Sequence, residues 1–364
     1  MDCRLLYLVG QLGPGGAERQ LYYLLQTMDR ERYRPMVSVW NYCETDAYVH
    51  RIQALGVPLH YLLNSPSPAA KLMAFRRFVR ELEPEVVHSY SFHTNFAAWW
   101  ATRGTKTIAI GAVRSDFIQE KKDAGFVLGR LSARWPCSQI FNNFMAAKNA
   151  LCSRSPFVPG QLFVVSNGLD LQRFRMLPLS TVGRACIVGI GSLLPVKRWD
   201  RLLESVLALK QNGFNYLAQI AGDGPLRGSL EQQAQELGLT GYIEFLGHVA
   251  DVTGLLSKAT FLVHPSDTEG CPNVVMEAMA SGRAVVAADV GDVPHLVDDG
   301  KTGYVVSHGD DAMLVEAIAK LITDRDLCRR MGEAGRAKAE QEFGLDRLVS
   351  ETMTAYRAAG WKDA

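Results

Sequence analysis

Thr260-Phe-Leu-Val-His264-Pro-Ser-Asp-Thr-Glu269-Gly-Cys-Pro-Asn273-Val-Val-Met-Glu277 is the stretch whose reading decides the fold. Thr260 to His264 is an apolar run that reads as a buried strand, and a short helical pattern follows Pro272. A strand that passes through a loop into a helix is the repeating unit of an open α/β sheet, and such sheets bind ligands beyond the carboxyl ends of their strands. The layout sets Glu269 in that loop and Glu277 on the first turns of the helix, so both carboxylates face one crevice.

A proline at Pro272 starts a helix without losing a hydrogen bond, since its missing N–H falls among the orphan donors of the first turn. The N–H groups of Asn273, Val274 and Val275 then point out of the helix N-terminus, where backbone donors and the macrodipole favour an anion such as a diphosphate. A carboxylate at Glu277 repels that anion unless it accepts hydrogen bonds from something else, for which sugar hydroxyls are suitable donors. The plainer alternative is a solvated acidic loop ahead of an ordinary amphipathic helix.

Working outward, the whole chain alternates short apolar runs with helical patterns. Strands are expected at Leu5–Val9, Met36–Trp40, Val86–His88, Thr107–Ile110 and Leu162–Val165, then at Cys186–Ile190, Tyr216–Ala221, Tyr242–Leu246, Thr260–His264 and Ala284–Ala288. Between them lie helices such as Ala17–Thr27, Lys71–Glu81 and Thr94–Arg103. Trp199, Leu202, Leu203, Val206 and Leu207 follow the helical spacing of a face buried on a sheet. This alternation implies parallel sheets covered on both sides, in two Rossmann-like domains of about 1–170 and 184–344. The aperiodic stretch Asp170–Arg184, with Pro178 and Gly183, reads as the linker between them.

Composition is ordinary for a globular protein: 364 residues, 48% apolar and 21% charged. Seven cysteines without a Cys-x-x-Cys pair give no disulfide framework and suit a reducing cytosol. No run approaches the length of a spanning helix, and Leu5–Val9 reads as a first strand rather than a signal peptide. A net charge of +1 hides an asymmetry, because residues 1–170 carry 19 Lys and Arg against 13 Asp and Glu. Two segments there are both basic and apolar, Lys71–Arg80 and Lys121–Trp135. Each reads either as an interfacial helix on an anionic membrane or as a helix packed on a sheet with solvated cations. The expected location is cytoplasmic, free or peripheral at the inner face of the cell membrane, with no nucleic-acid partner.

The stretch from His264 to Ala280 resembles the Glu-x7-Glu signature of retaining GT-B glycosyltransferases, most closely glycosyltransferase family 4. The similarity continues through Ser281–Asp289 and Gly300–Val306, and backwards to Phe245-Leu-Gly-His248, Gly222-Asp-Gly-Pro225 and Gly191-Ser-Leu-Leu-Pro-Val-Lys197. It implies a GT-B fold of two Rossmann-like domains facing an interdomain cleft, with the C-terminal helix, about 345–364, packed back on the first. It also implies transfer of a hexose from a nucleoside-diphosphate sugar, UDP before GDP, to a glycan or lipid-linked acceptor in cell-surface polysaccharide or lipopolysaccharide synthesis. Neither metal nor cofactor is expected, since Lys197 and a helix N-terminus replace a divalent cation. Asp324 and Asp326, an Asp-x-Asp pair, fall in a helical segment and read as solvated.

On this resemblance Lys197, Glu269 and His93 are the catalytic candidates. Donor contacts fall to Gly15, Gly16, Ser192, Arg198, Gly222, Asp223, His248, Val249, Gly270, Cys271, Pro272, Asn273, Val274 and Glu277, and acceptor contacts to Tyr90, Asn95 and Arg114. Two departures matter. Ser192 stands where relatives commonly carry Arg, with Arg198 either compensating or merely solvated, and Tyr90 replaces the middle His of His-x-His-x-x-His-x-Asn. For Arg114 the competing explanation is an ion pair with Asp116. Two other function classes stay open: a sugar-nucleotide epimerase or phosphorylase, which product analysis separates, and a non-catalytic scaffold that binds a nucleotide sugar without turnover.

Overall fold

The computed structural model describes residues 3–62, 65, 67–176, 178–179 and 183–363. The chain forms two compact units: residues 1–168 with 345–364, and residues 169–344. The stretch read as a linker groups with the second unit from Leu169 onward, and its residues 177 and 180–182 lie outside the described residues. Asp170 caps a turn there by accepting from the N–H groups of Gln172 and Arg173, and Phe174 is buried.

The first unit is built on seven parallel strands: β1 (Leu5–Val9), β2 (Pro35–Val39), β3 (Leu59–Tyr61), β4 (Val86–Ser89), β5 (Ile108–Val113), β6 (Ser138–Phe141) and β7 (Gln161–Val164), in the order β3-β2-β1-β4-β5-β6-β7. The second holds β8 (Ala185–Ile190), β9 (Tyr216–Ala221), β10 (Ile243–Gly247), β11 (Phe261–His264), β12 (Ala284–Ala288) and β13 (Gly303–Val306), in the order β10-β9-β8-β11-β12-β13. Strand order reverses beside β1 and beside β8, so each unit has a switch point at which successive loops part and leave room for a ligand. β1, β11 and β12 are buried at every position, as sheets covered on both faces require. The sequence pattern passes over β3, β6 and β13, which are short and carry polar residues or glycine in place of an apolar run.

In the second unit the helix Trp199–Gln211 buries Trp199, Leu202, Leu203, Val206 and Leu209 against the sheet, with Leu207 at the edge of the same cluster. The first unit is completed by the helix Leu345–Ala358, whose Leu348, Met353 and Tyr356 join its core. The Tyr356 hydroxyl lies 2.7 Å from Nδ1 of His88, and Trp361 donates to Glu85 at 2.7 Å.

Of the two basic, apolar segments, the helix Pro68–Leu82 is a packed one. It buries Phe75 and Val79, Lys71 donates to the Trp40 carbonyl and to Asn41, and Arg76 donates to the carbonyls of Trp100 and Arg103. Among the described residues no helix is long and apolar enough to cross a membrane.

Candidate functional site

In the second unit the loops that leave neighbouring strands β8 and β11 meet. The loop after β8 ends in a single 3₁₀ turn, Pro195–Lys197, and there Lys197 donates to Oε1 of Glu269 at 2.5 Å. His264, the last residue of β11 and only 1% exposed, holds the same oxygen through Nε2 at 2.9 Å. Because an ionised carboxylate only accepts, Nε2 is the donor; Nδ1 of His264 is buried with no hydrogen-bond partner among the described residues. Burial works to raise the Glu269 pKa, but His264 and Lys197 outweigh it and hold the carboxyl at about 2. The site therefore presents a fixed carboxylate and a cation in one place, across 72 residues of sequence.

The backbone around this pair is locked. Asp267 N–H donates to the Val196 carbonyl, and Asp292 N–H donates to Gly270, which ties both ends of the Glu269 loop. Gly222 sits with φ +146° against the first loop, and a Cβ on it would lie 1.9 Å from the Gly191 carbonyl oxygen. Glycine is required there by close approach of two backbones, a stronger reason than turn chemistry. Asp223 accepts the Leu193 N–H through its carbonyl, while its carboxylate turns to Gly224 N–H and Arg227. Ser192 is exposed, and its carbonyl accepts from the Trp199 indole. His248 is exposed, and Val249 packs partly on the core.

Three expectations are corrected here. Arg198 is not a spare cation: its guanidinium is shared between Asp200 and Asp267, at 2.9 and 3.0 Å, and these two carboxylates raise its pKa further. Asp267 also takes Arg201 and His308, so the charge absent at Ser192 is not replaced by Arg198. Pro272 is the cap rather than the first residue of the helix Asn273–Ala280, and the Val275 N–H is already given to the Pro272 carbonyl at 3.1 Å. The Val275 amide is thereby used within the helix. Glu277 opens the second turn of that helix and is 3% exposed; Cys271 is buried with its thiol near the Met276 sulfur.

In the first unit Gly15 caps the helix Gly16–Thr27 and has no side chain to close its N-terminus. Tyr90, just past β4, is buried beneath Arg114, whose guanidinium carbon stands 3.7 Å from the ring centroid. Arg114 is not paired with Asp116, which caps the next helix through Gln119 N–H and holds Asn149. Arg114 acts instead on the carboxyls of Glu120 and of Glu18, the latter on the first turn after Gly16; burial raises the Glu18 pKa, its own N–H and Arg114 oppose that, and Asp46 adds to it. His93 lies against Gly10, and desolvation lowers its pKa, which favours the neutral ring. Asn95 is a structural residue: its amide donates to the carbonyls of Ala112 and Ser132 and accepts from the Ala112 N–H, which consumes both ends. The expected acceptor role is thereby removed.

His264, Asp267 and Glu18 are site residues that sequence reasoning missed. A polar residue closing an otherwise apolar strand is the signal that His264 offers; Asp267 and Glu18 give none, because their partners come from other loops. Asp324 caps the helix Arg325–Glu342 and Asp326 pairs with Arg329, so neither faces a site. Among the described residues no group of three His, Cys, Asp or Glu side chains could hold a metal ion.

Comparison with known proteins gives matches on both units. The family described as Glycosyl transferases group 1 matches residues 179–338, and the family described as Glycosyl transferase 4-like domain matches residues 15–146. A D-inositol 3-phosphate glycosyltransferase of Streptomyces avermitilis is 27% identical, over 76% of this chain and 65% of that protein. A GDP-mannose-dependent alpha-(1-6)-phosphatidylinositol monomannoside mannosyltransferase of Mycobacterium tuberculosis is 28% identical, over 50% and 52% respectively. The chain thus spans about half to two thirds of the length of these curated relatives. In fold it is similar to Anabaena Alr3699/HepE, solved in complex with UDP, with a TM-score of 0.82 at 20% identity over 98% of this chain and all of that one.

Proposed function

We propose, from the premise that this chain belongs to the GT-B glycosyltransferases of the family 4 type, that it transfers a hexose from a nucleoside-diphosphate sugar with retention of configuration. The observation that carries the reading is the Lys197–Glu269 pair at 2.5 Å, a cation and a carboxylate pre-set where two strands of the second unit end. On donor binding the diphosphate takes Lys197 and the amides of Asn273 and Val274, while hydroxyls of the transferred sugar take Glu269 and ribose hydroxyls take Glu277. UDP is the first candidate nucleotide, supported by the UDP complex of a protein of the same fold; the mannosyltransferase relative makes GDP the second.

The acceptor, a glycan or lipid-linked sugar, is assigned to the first unit at Tyr90, His93 and Arg114. Its oxygen forms the new bond to the anomeric carbon on the face from which the sugar–phosphate bond breaks. The bonding pair leaves with the diphosphate, and the acceptor proton goes to a phosphate oxygen. Catalysis rests on stabilising that departing charge with Lys197 and helix amides fixed before the reaction. Cell-surface polysaccharide or lipopolysaccharide assembly is the proposed setting.

The test is a thermal-shift series with UDP, GDP, ADP and their hexose conjugates in chelator, followed by the anomeric configuration of the product. One nucleotide is expected to raise the transition, as ligand at a hundredfold excess over Kd adds about 2.7 kcal/mol, with the shift lost in Glu277→Ala. Lys197→Ala is expected to weaken nucleotide binding and to lose turnover. Inverted product, or dependence of the shift on a divalent cation, overturns the corresponding part of the reading.

A further inference from the structure

One surface of the first unit is not used by that chemistry. Ile118, Phe126, Val127, Leu128, Phe144 and Leu151 are exposed apolar side chains, with Phe126 and Leu151 each 74% and Val127 66% open to solvent. They come from three helices, Phe117–Asp123 and the two that pack on it, Phe126–Arg134 and Phe144–Leu151. Single exposed apolar residues are common, but so many on adjoining helices call for a partner.

The second of these helices is not an amphipathic helix lying free. Gly125, at φ +79°, turns the chain, and Phe126, Val127 and Leu128 follow at once. Consecutive helical residues point about 100° apart, so these three cover a tip rather than one face. The tip is held from behind: Gly129, Ser132 and Ala133 are buried, and a Cβ on Gly129 would lie 2.1 Å from the Lys121 carbonyl oxygen.

The charge around the tip is predominantly positive, with Asp123 the one exposed acid of the segment. Residues 117–160 carry six Lys and Arg against two acids. One of the acids, Glu120, turns inward to accept the Arg114 N–H. Lys122, Arg130, Lys148 and Arg154 are exposed, and the Arg130 guanidinium lies over the Phe126 ring at 3.6 Å. Lys121 and Arg134 donate instead to the carbonyls of Phe157 and Val158. We propose that this tip docks on an anionic lipid bilayer, with Phe126 and Val127 entering the boundary between headgroups and acyl chains. Lys122, Arg130, Lys148 and Arg154 meet the lipid phosphates around them. An apolar wedge ringed by cations fits a bilayer surface, where the wedge is buried and the cations stay at headgroup level. The helix Pro68–Leu82 offers no such surface, since Met73 is its one strongly exposed apolar side chain.

The test is co-sedimentation of the full chain with vesicles of phosphatidylcholine, with and without phosphatidylglycerol, at low and high salt. Binding is expected on the anionic vesicles and to be at least about tenfold weaker on the neutral ones or in high salt. The double variant Phe126→Ser with Val127→Ser is expected to lower partition about tenfold or more on either salt setting. Lys122→Glu with Arg130→Glu is expected to abolish the salt-sensitive part. All four positions are exposed, so an unchanged thermal transition verifies the fold. Equal partition of wild type and variants, or no binding to anionic vesicles, overturns the proposal. Self-association that the Phe126/Val127 variant abolishes, without vesicle binding, assigns the surface to a second copy instead.

Discussion

Glu269 and Glu120 are two largely desolvated carboxyls that their surroundings push in opposite directions, and the difference has a measurable sign. Glu269 is held at about 2 because His264 and Lys197 overcome its burial, so it is ionised throughout any working pH. Its contribution to stability is complete above the ordinary glutamate pKa and is lost as pH falls through about 2. Glu120 is raised to about 7 by burial, against the N–H groups of Arg114 and Ser115 that favour its charge. A raised carboxyl gives stability below its unfolded pKa and loses it as pH climbs through the folded value, here between about 4.5 and about 7. That loss is on the order of 3 kcal/mol. Glu120→Gln is expected to flatten it, seen as a smaller difference between urea midpoints at about pH 5 and about pH 8; an unchanged difference removes Glu120 as the titrating group. At this scale the sequence announces Lys197 and Glu269, because residue type and position beyond a strand end suffice. It misdirects at Asn95 and Arg198, whose hydrogen bonds to Ala112 and Asp267 depend on contacts that no local pattern encodes.

Elements with five apolar residues in a row, such as β1 and β12, declare themselves through hydrophobic patterning alone. β6 does not, because Ser138 and Gln139 spend their side chains on Gln161 and on the carbonyls of Ser132 and Pro136 rather than on an apolar face. What the pattern also hides is how tightly two loops approach. Gly222 and Gly224 both lie against the loop after β8, the second with a Cβ position 2.7 Å from the Leu193 carbonyl oxygen. That loop carries Lys197, so its path is set by glycine on its neighbour. Gly222→Ala forces backbone against backbone, with no flexible side chain to give way. It is expected to cost the second unit roughly 2–4 kcal/mol and to weaken nucleotide binding as Lys197 shifts. Chemical denaturation read with the thermal-shift series checks both; loss of stability with unaltered nucleotide affinity separates the loop's folding role from its role in the site.

Across the whole molecule, the chain leaves the first unit after Gly168 and returns to it at Leu345. At the crossing, Leu169 N–H donates to the Phe343 carbonyl and Leu169 bridges to Gly344, so departure and return run side by side. The segment that returns is not an appendage. Gln20 clamps Gly168 through both ends of its amide, and Arg347 donates to the carbonyls of Ser166 and Asn167. Tyr356 reaches His88 under the sheet, and Asp363, with its side chain 3% exposed, gathers Arg4, Arg32 and Arg357. Leu348, Met353, Tyr356 and Trp361 are each at most 4% exposed. Burial of side chains of this kind is worth about 1.5–3 kcal/mol apiece, which sums to much of the 5–15 kcal/mol that holds a typical domain. A chain ended at Gly344 is therefore expected to lose the cooperative transition of the first unit while the second still melts and still gains stability from its nucleotide. Calorimetry with and without nucleotide distinguishes the outcomes. Two transitions surviving the deletion show that the first unit folds without its final helix, and loss of both shows that the second unit depends on the first.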